Sequence, residues 1–343
     1  MQLKKIYSPV GKELSGINNV LRTSLGGSGS SAIGEINRFL LRVPGKRLRP
    51  ALAVLSARVS LTYGPKTKDF AFKADRDKLL KVAAALELIH TASLVHDDII
   101  DHADLRHHLP TINRKWGQDV AIASGDYLYT EAFSLIAQCA NPDILSCISW
   151  AAKLMCEGEL QQVCQRDNLD LLKKQYLIMV KKKTAVLFAA SCQAGAIMAG
   201  SNRVTQEALK EYGLNFGIAF QIMDDCLDLI ASAKELGKDP GADFKTGELT
   251  LPILNLLESV PPSQRGKVRK ILARSRCPKS FKRLKSMFFD SQAILKTKNT
   301  VLSFIALAKD NLSVFPDSAY KESLCSLTDF ITNIKQKENQ DTI

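Results

Sequence analysis

Residues 79–101 read LLKVAAALELIHTASLVHDDIID and decide the fold class of this chain. The stretch is apolar on nearly all sides as far as Val95, which is typical of a helix buried in a protein core. It ends in three aspartates, Asp97, Asp98 and Asp101, that fall on neighbouring positions of one helix face. Carboxylates this close repel one another and resist burial unless a cation neutralises them. The stretch therefore predicts a buried helix with a cation site at its end.

A second stretch, FQIMDDCLDL, repeats this spacing at Asp224, Asp225 and Asp228 and also ends an apolar helical segment. Mg²⁺ prefers oxygen ligands and usually takes one or two carboxylates, completing its shell with water and substrate phosphates. Two such clusters facing each other across a cavity could bridge several Mg²⁺ ions to one diphosphate. Either cluster alone is also explained by a solvated helix end. However, acidic residues at a helix C-terminus oppose the helix dipole and favour a nearby cation.

Helical periodicity dominates the 343 residues, and no convincing β-hairpin stands out. Prolines separate segments rich in Leu, Ala, Ile and Lys, a pattern typical of a helical bundle with short connections. We expect an all-α fold and a single domain over residues 1–343. Its expected peripheral parts are an N-terminal helix over about 1–25, a glycine-serine link at 26–31, loops at 62–75 and 231–252, and a frayed tail over about 336–343.

Composition limits the class of protein and its compartment. The net charge of +12 favours anionic partners, which include phosphorylated small molecules, nucleic acid and acidic membranes, although it is also explained by a solvated surface. A basic patch with interleaved aromatic residues, which nucleic-acid binding prefers, is not found. The eight cysteines form no CxxC pair and predict reduced thiols. With no secretion signal and no apolar run of about 20 residues, we expect a cytoplasmic protein without a membrane span.

Basic residues stand near both acidic clusters and near the start of an apolar helix. PGKRLRP offers Lys46, Arg47 and Arg49 directly before a predicted helix start, where guanidinium groups and helix N-termini suit phosphate. Arg106 follows the first cluster, and Lys183 opens an apolar helix in KKKTAVLFAA. Lys238 follows the second cluster. The chain therefore has separate cations for two diphosphates, although each lysine alone is also explained by a solvated surface group.

Seven pieces of the sequence together resemble the trans-isoprenyl diphosphate synthases, also called the polyprenyl synthetase family, and specifically its long-chain branch, such as octaprenyl, heptaprenyl and solanesyl diphosphate synthases. They occur in the family's order, and only the ordered set is specific. The pieces are GKRLRP, ELIHTASLVHDDIIDHADLR, GDYLYTEAF, EGE, KKKTAVLFAASCQAGA, YGLNFGIAFQIMDDCLDL and GKDPGADFKTGELTLP.

The resemblance implies an isoprenoid synthase fold, a single large helical bundle around a deep central cavity. It implies that the six aspartates hold Mg²⁺, three ions per active site with Mn²⁺ as a substitute, on an allylic diphosphate. Lys183, Thr184 and Gln221 would be catalytic, the last two facing the developing cation. The implied substrate-binding residues are Lys46, Arg49, His90, Arg106, His107, Lys183, Gln221 and Lys238.

The chain departs from the family at two places. RHHLPT at 106–111 stands where the family usually reads RRGKPT, so His107 replaces an arginine that the family uses for isopentenyl diphosphate. Because histidine titrates near about pH 6.5 and arginine stays charged, we expect weaker isopentenyl diphosphate binding that improves at mildly acidic pH. Glu248 stands where the family often has lysine.

The resemblance also implies the reaction, in which isopentenyl diphosphate is condensed with farnesyl or geranylgeranyl diphosphate, and a homodimer. In the family, the residues four and five positions before the first aspartate set the cavity depth. Here they are Ser93 and Ala92, both small, so a long all-trans product is expected, as in quinone side-chain biosynthesis. Three alternatives stay open: a shorter-chain farnesyl or geranylgeranyl synthase, a non-catalytic subunit of a heteromeric synthase, and a terpene cyclase.

Overall fold

The computed structural model describes residues 3–26, 31–42, 45–63, 75–106, 108–232, 240–274 and 276–333. It is almost entirely helical, as expected. The helices are α1 Leu3–Ile6, α2 Gly11–Gly26, α3 Ser31–Leu40, α4 Leu48–Thr62, α5 Arg76–Ile100, α6 Ile112–Trp116, α7 Gln118–Ala137, α8 Pro142–Cys164, α9 Lys173–Val180, α10 Val186–Met198, α11 Arg203–Ile230, α12 Ala242–Thr246, α13 Leu251–Ser259, α14 Pro262–Arg274, α15 Pro278–Phe289, α16 Ala293–Asp310 and α17 Ala319–Asn333. A 3₁₀ turn covers Ser8–Val10, and a π-helical turn covers Lys181–Ala185.

Five helices form the most closely packed part of the bundle. Helix α5 packs along α7, and α10 packs between α4 and α11. These helices approach closely where glycines face a neighbour. A Cβ on Gly195 would lie 2.0 Å from the carbonyl oxygen of Ala53, and one on Gly217 would lie 2.6 Å from the Cα of Ala185. Such close packing holds the aspartate-bearing ends of α5 and α11 in fixed positions.

One continuous hydrophobic core includes residues from Ile6 to Ile331, so the first and last described helices pack into the same core. Their link is also polar, because the Ser323 hydroxyl of α17 donates to the Ile6 carbonyl at 2.8 Å. None of the eight cysteines forms a disulfide. This agrees with the expectation of reduced thiols.

Helix α5 is, by length and composition alone, apolar enough to cross a membrane. Its most apolar stretch has a mean hydropathy of 1.3, but 67% of that stretch is buried inside the protein. A helix at the centre of a folded core meets the same criterion, because it too is surrounded by apolar neighbours.

Two local features differ from the sequence predictions. Leu105–Arg106 and Leu109–Pro110 pair as a two-residue antiparallel hairpin. Strands this short cannot show the alternation by which sequence reveals a hairpin. The predicted loop at 231–252 contains the short helix α12, which Asp228 helps to anchor. The predictions for 27–30, 64–74 and the tail at 336–343 lie outside the described residues.

Candidate functional site

A cavity of about 1050 Å³ opens between the central helices. Its wall includes five aspartates of the two clusters, brought together from the ends of α5 and α11, which are far apart in sequence. The rest of the wall is largely apolar and includes Leu21, Leu25, Leu94, Met155 and Phe220. The two clusters therefore both contribute to the wall of one open cavity, as the sequence predicted for a shared ligand.

Two arginines hold the later aspartates of the first cluster. Arg106 donates from Nε to Asp98 Oδ1 at 2.8 Å, and its Nη2 lies 2.8 Å from the same oxygen. Burial lowers the pKa of Arg106, but Asp98, Asp97 and Asp224 outweigh it and hold the pKa above its ordinary value. Arg106 thus interacts electrostatically with both clusters. Asp101 pairs with Arg166, whose Nη2 lies 2.6 Å from its Oδ1.

The leading aspartate of the first cluster faces a lysine and a glutamate. Lys183 Nζ lies 2.5 Å from Glu159 Oε2. Burial raises the pKa of Asp97 to about 7, with Lys183 opposing the shift and Glu159 adding to it. Burial would lower the pKa of Lys183, but Asp97 and Glu159 hold it above its ordinary value. Lys183 is therefore a fixed positive charge beside Asp97.

A π-helical turn presents Lys183 and Thr184 to the cavity. The turn Lys181–Ala185 separates α9 from α10, and such π turns often lie at functional sites. Helix α8 packs on it through Gly158, where a Cβ would lie only 2.4 Å from the Lys183 backbone nitrogen. The glycine of the EGE motif therefore allows the close approach that places Glu159 on Lys183.

The second cluster is held by neutral donors. Gln221 Nε2 donates to Asp225 Oδ1 at 2.7 Å, and Tyr176 donates its hydroxyl to Asp225 Oδ2. Thr184 in turn donates to Gln221 Oε1 at 2.9 Å. Burial raises the pKa of Asp225 to about 7, against the two hydrogen bonds, which lower it. Thr184 and Gln221, predicted to act together, do form one chain of hydrogen bonds that ends on Asp225.

Asp228 does not line the cavity, unlike the other five aspartates. Its buried carboxylate accepts hydrogen bonds of 3.3 Å from the backbone nitrogens of Ala242 and Asp243, in the first turn of α12. A carboxylate satisfies the free N–H groups at a helix start. Asp228 therefore contacts the start of α12, and its predicted role as a metal ligand stays a prediction.

The cavity offers oxygen ligands suited to Mg²⁺. Asp97 and Asp224 line it, and the buried Glu159 Oε1 has no hydrogen-bond partner among the described residues. In the same part of the chain, no three His, Cys, Asp or Glu side chains converge as a ready-made metal site. Because Mg²⁺ usually keeps waters and substrate phosphates as ligands, one or two carboxylates per ion are enough. The donor set therefore fits the expected metal.

The predicted isopentenyl diphosphate residues Lys46, Arg49 and His90 line the same cavity. The buried Arg49 Nε has no described hydrogen-bond partner, and its guanidinium lies 4.1 Å from the Phe188 ring centroid. Burial lowers the pKa of Arg49 to about 10, with Glu87 opposing the shift. A buried cation with an unused donor is a natural partner for a phosphate oxygen.

Other predicted residues are placed differently. Ser93 lines the cavity, whereas the neighbouring Ala92 is fully buried in the core and does not. His107 and Lys238 lie outside the described residues, so their predicted contacts with substrate stay predictions. Arg47 pairs with Glu87 at 2.7 Å and so connects α4 to α5.

Sequence reasoning missed a second network at the cavity wall. Arg166 joins Asp101 to Glu248, with its Nη2 3.0 Å from Glu248 Oε1, and Gln162 donates to the other Glu248 oxygen. Burial raises the pKa of Glu248, with Lys183 opposing the shift. The only sequence signal was that Glu248 stands where the family often has lysine. In this structure Arg166 brings a cation to Glu248.

Comparisons with known proteins agree on one family. The model described as Polyprenyl synthetase matches residues 30–288. The octaprenyl diphosphate synthase of Haemophilus influenzae is 31% identical over 327 residues, 95% of this chain and 95% of that protein. Heptaprenyl diphosphate synthase component 2 of Geobacillus stearothermophilus is 38% identical over 257 residues, 75% of this chain and 76% of that protein.

A solved structure gives the same result for the fold. The polyprenyl synthase of Caulobacter crescentus CB15, crystallised with calcium and isoprenyl diphosphate, is similar at a TM-score of 0.89. It is 32% identical, and the match covers 96% of this chain and 97% of that one. The expected helical bundle is confirmed as the fold of these synthases.

Proposed function

The chain belongs to the polyprenyl synthetase family, and from this membership we propose that it is a trans-prenyltransferase that lengthens an allylic diphosphate with isopentenyl diphosphate units to a long all-trans product. The observation that carries the proposal is the shared cavity, whose wall includes five aspartates of the two clusters together with Arg106 and Lys183. Neither a solvated helix end nor a core packing role would bring so many charges from two distant helices to one cavity.

Ionisation of the allylic substrate is the first step. The allylic C–O bond breaks, and both electrons leave with the diphosphate. Arg106 and Lys183, which are held in place by Asp98 and Glu159, stabilise the charge on the departing oxygens. Mg²⁺ would be held by Asp97 and Asp224, with the partnered Asp98, Asp101 and Asp225 around it, and supplies Lewis-acid neutralisation of that diphosphate.

The carbon–carbon bond forms next. Lys46, Arg49 and His90 bind the diphosphate of isopentenyl diphosphate, so that its double bond reaches the allylic carbon. A proton is then lost to the released diphosphate, which lies closest. The Thr184 and Gln221 oxygens face the transient positive charge, and the apolar wall excludes the water that would quench it.

The growing chain extends along the apolar part of the cavity. Ser93 lies on this wall with no bulky side chain, and the volume of about 1050 Å³ is at the upper end for small-molecule pockets. These features, together with the octaprenyl and heptaprenyl relatives, support a long product over a farnesyl or geranylgeranyl one. A terpene cyclase would not need the second anion site at Arg49.

Several further properties complete the proposal. We propose one domain over residues 1–343, a cytoplasmic location, three Mg²⁺ ions per site with Mn²⁺ as a substitute, and a homodimer. Exposed apolar side chains on α8 support a dimer, because Trp150 is 58% exposed and Leu145 is 47% exposed. Such residues on neighbouring turns favour contact with another copy.

A second candidate is that this chain is one component of a heteromeric synthase, since one relative is described as component 2. The purified chain alone, incubated with isopentenyl and farnesyl diphosphates plus Mg²⁺, distinguishes the two. Long polyprenyl products, sized by chromatography after dephosphorylation, would support the enzyme acting alone. Absence of products, with correct folding by circular dichroism, would favour the heteromer or reject the activity.

A further inference from the structure

Positive charge is concentrated in one part of the chain. Residues 259–289 contain ten lysines and arginines and no aspartate or glutamate, while the whole chain has a net charge of +12. The segment forms α14 and α15, which pack against each other. We call these two helices the basic helix pair.

Both helices bury an apolar stripe and expose basic residues on the outside. Helix α14 buries Val268, Ile271 and Leu272, and α15 buries Leu284 and Phe288. Basic residues fill the opposite faces, as in amphipathic helices at a polar interface. The exposed basic residues of the pair are Arg265, Lys267, Arg269, Lys270, Lys279, Lys282 and Arg283.

Most of these charges are not balanced by the protein itself. Arg269 pairs with Asp170 at 2.8 Å. The other six form no ion pair with any carboxylate in the described stretches of the chain. Uncompensated cations of one sign attract an anionic surface.

The basic helix pair lies beside the ionic end of the cavity. Arg276, in the turn between the two helices, pairs with Asp167 and donates to the Lys245 carbonyl at 3.2 Å. Phe281 of α15 packs on Phe244 of α12, with ring centroids 5.7 Å apart. Helix α12 also contributes Asp243 to the cavity wall.

We propose that the basic helix pair docks the enzyme on the surface of an anionic phospholipid bilayer. Four to eight basic residues on amphipathic helices are typical of such docking. Phe289, 48% exposed at the end of α15, is placed to enter the interface. The inference rests on the proposed function, because a long polyprenyl diphosphate is an amphiphile that water does not dissolve. Docking beside the cavity delivers it to lipid.

Nucleic acid is the less suitable partner for this surface. Single-stranded nucleic acid binding combines basic residues with exposed aromatic rings on which bases stack. Here Phe281 and Phe288 face the protein interior, and Phe289 is the one exposed ring on the described part of the pair, too few to stack successive bases.

Vesicle co-sedimentation of the full chain tests the proposal. The probes are phosphatidylcholine vesicles with and without about 30% phosphatidylglycerol, at low and high salt. The docking variant replaces Arg265, Lys267, Lys270, Lys279, Lys282 and Arg283 by Gln. A control variant with the same net charge replaces six exposed basic residues elsewhere, namely Lys4, Lys5, Lys12, Arg22, Lys153 and Arg203.

We expect the wild type and the control variant to bind anionic vesicles, to release them at high salt and to ignore neutral vesicles. The docking variant should lose at least about tenfold in partition coefficient. Its synthesis of products in detergent solution should be unchanged, which separates this inference from the proposed function.

Three results would overturn docking. The wild type could stay in the supernatant with anionic vesicles. The docking and control variants could lose vesicle binding equally, which would show that binding depends on net charge and not on the basic helix pair. Finally, the patch could bind a random-sequence RNA and not the vesicles.

Discussion

The two aspartate clusters have the same spacing in sequence and quite different surroundings in the structure. In the first cluster, Asp98 and Asp101 are held by the guanidinium groups of Arg106 and Arg166. In the second, Asp225 is held by the neutral Tyr176 and Gln221, and Asp228 by backbone N–H groups. Identical spacing therefore fixes where the carboxylates stand along a helix, whereas their neighbours decide which are available to a metal.

The largest loss of activity should distinguish the first aspartate of each cluster from Asp228, the last aspartate of the second. Asp97→Asn and Asp224→Asn each remove a metal ligand at the cavity, so we expect kcat to fall by about 10²–10³-fold. Asp228→Asn makes the same charge change outside the cavity and should keep kcat within about tenfold. Steady-state kinetics with isopentenyl and farnesyl diphosphates measures all three. Equal losses in the three variants would show that the two clusters use their aspartates alike.

A smaller effect should come from the arginine that connects the first cluster to Glu248. Arg166→Met leaves Asp101 and Glu248 unbalanced at the cavity wall, and their charge repels a diphosphate. We expect kcat/KM to fall by about 10–100-fold, because an unpaired buried charge is costly. Adding Glu248→Lys should restore most of the loss by returning a cation to that position.

Arg269→Met is the matched control, because it breaks an ion pair with Asp170 in which both side chains are largely exposed. Exposed pairs contribute little, so its kcat/KM should stay near that of the wild type. If Glu248→Lys lowered the activity of the Arg166→Met variant further, a lysine at position 248 could not replace the charge of Arg166, and this interpretation would be rejected.

The apolar segment before the first cluster should control product length. Ser93→Phe narrows the cavity and should shift the products towards shorter chains, as measured by chromatographic sizing. The adjacent Ala92 lies in the packed core, so Ala92→Phe should instead destabilise the fold by about 1–3 kcal/mol through overpacking. Unchanged product lengths in Ser93→Phe would place the growing chain elsewhere.

The smallest effect concerns the pH dependence of the metal-free protein. Burial raises the pKa of Asp225 from 3.8 to about 7, so between these values the folded state binds more protons than the unfolded state. Stability should therefore fall as the pH rises through this window. Asp225→Asn should make the free energy of unfolding depend less on pH in this window. Urea midpoints at about pH 5 and pH 8 in EDTA measure it.

Asp224→Asn serves as the control for this titration, because Asp224 is exposed whereas Asp225 is buried; since the Asp224 charge helps to raise the pKa of Asp225, this variant should flatten the slope less. An equal flattening in both variants would assign the slope to the loss of any carboxylate at the cluster, and the contrast between the two aspartates would be lost.

The sequence by itself determined the helical class, both clusters and the family. Each of these depends on the order of residues along the chain. Apolar periodicity indicates the helices, spacings of three and four residues place the aspartates on one helix face, and the order of the motifs indicates the family. The presence of Lys46, Arg49, His90, Arg106 and Lys183 at the cavity wall also agreed with the resemblance.

Only the tertiary structure decided which groups neutralise the aspartates. Arg166 reaches Asp101 across 65 positions and Glu248 across 82, and Tyr176 reaches Asp225 across 49. No periodicity records contacts of this kind, because they depend on how whole helices pack. The same packing brings Asp228 onto the first turn of α12, a contact that no local pattern predicts, while its role as a metal ligand stays a prediction.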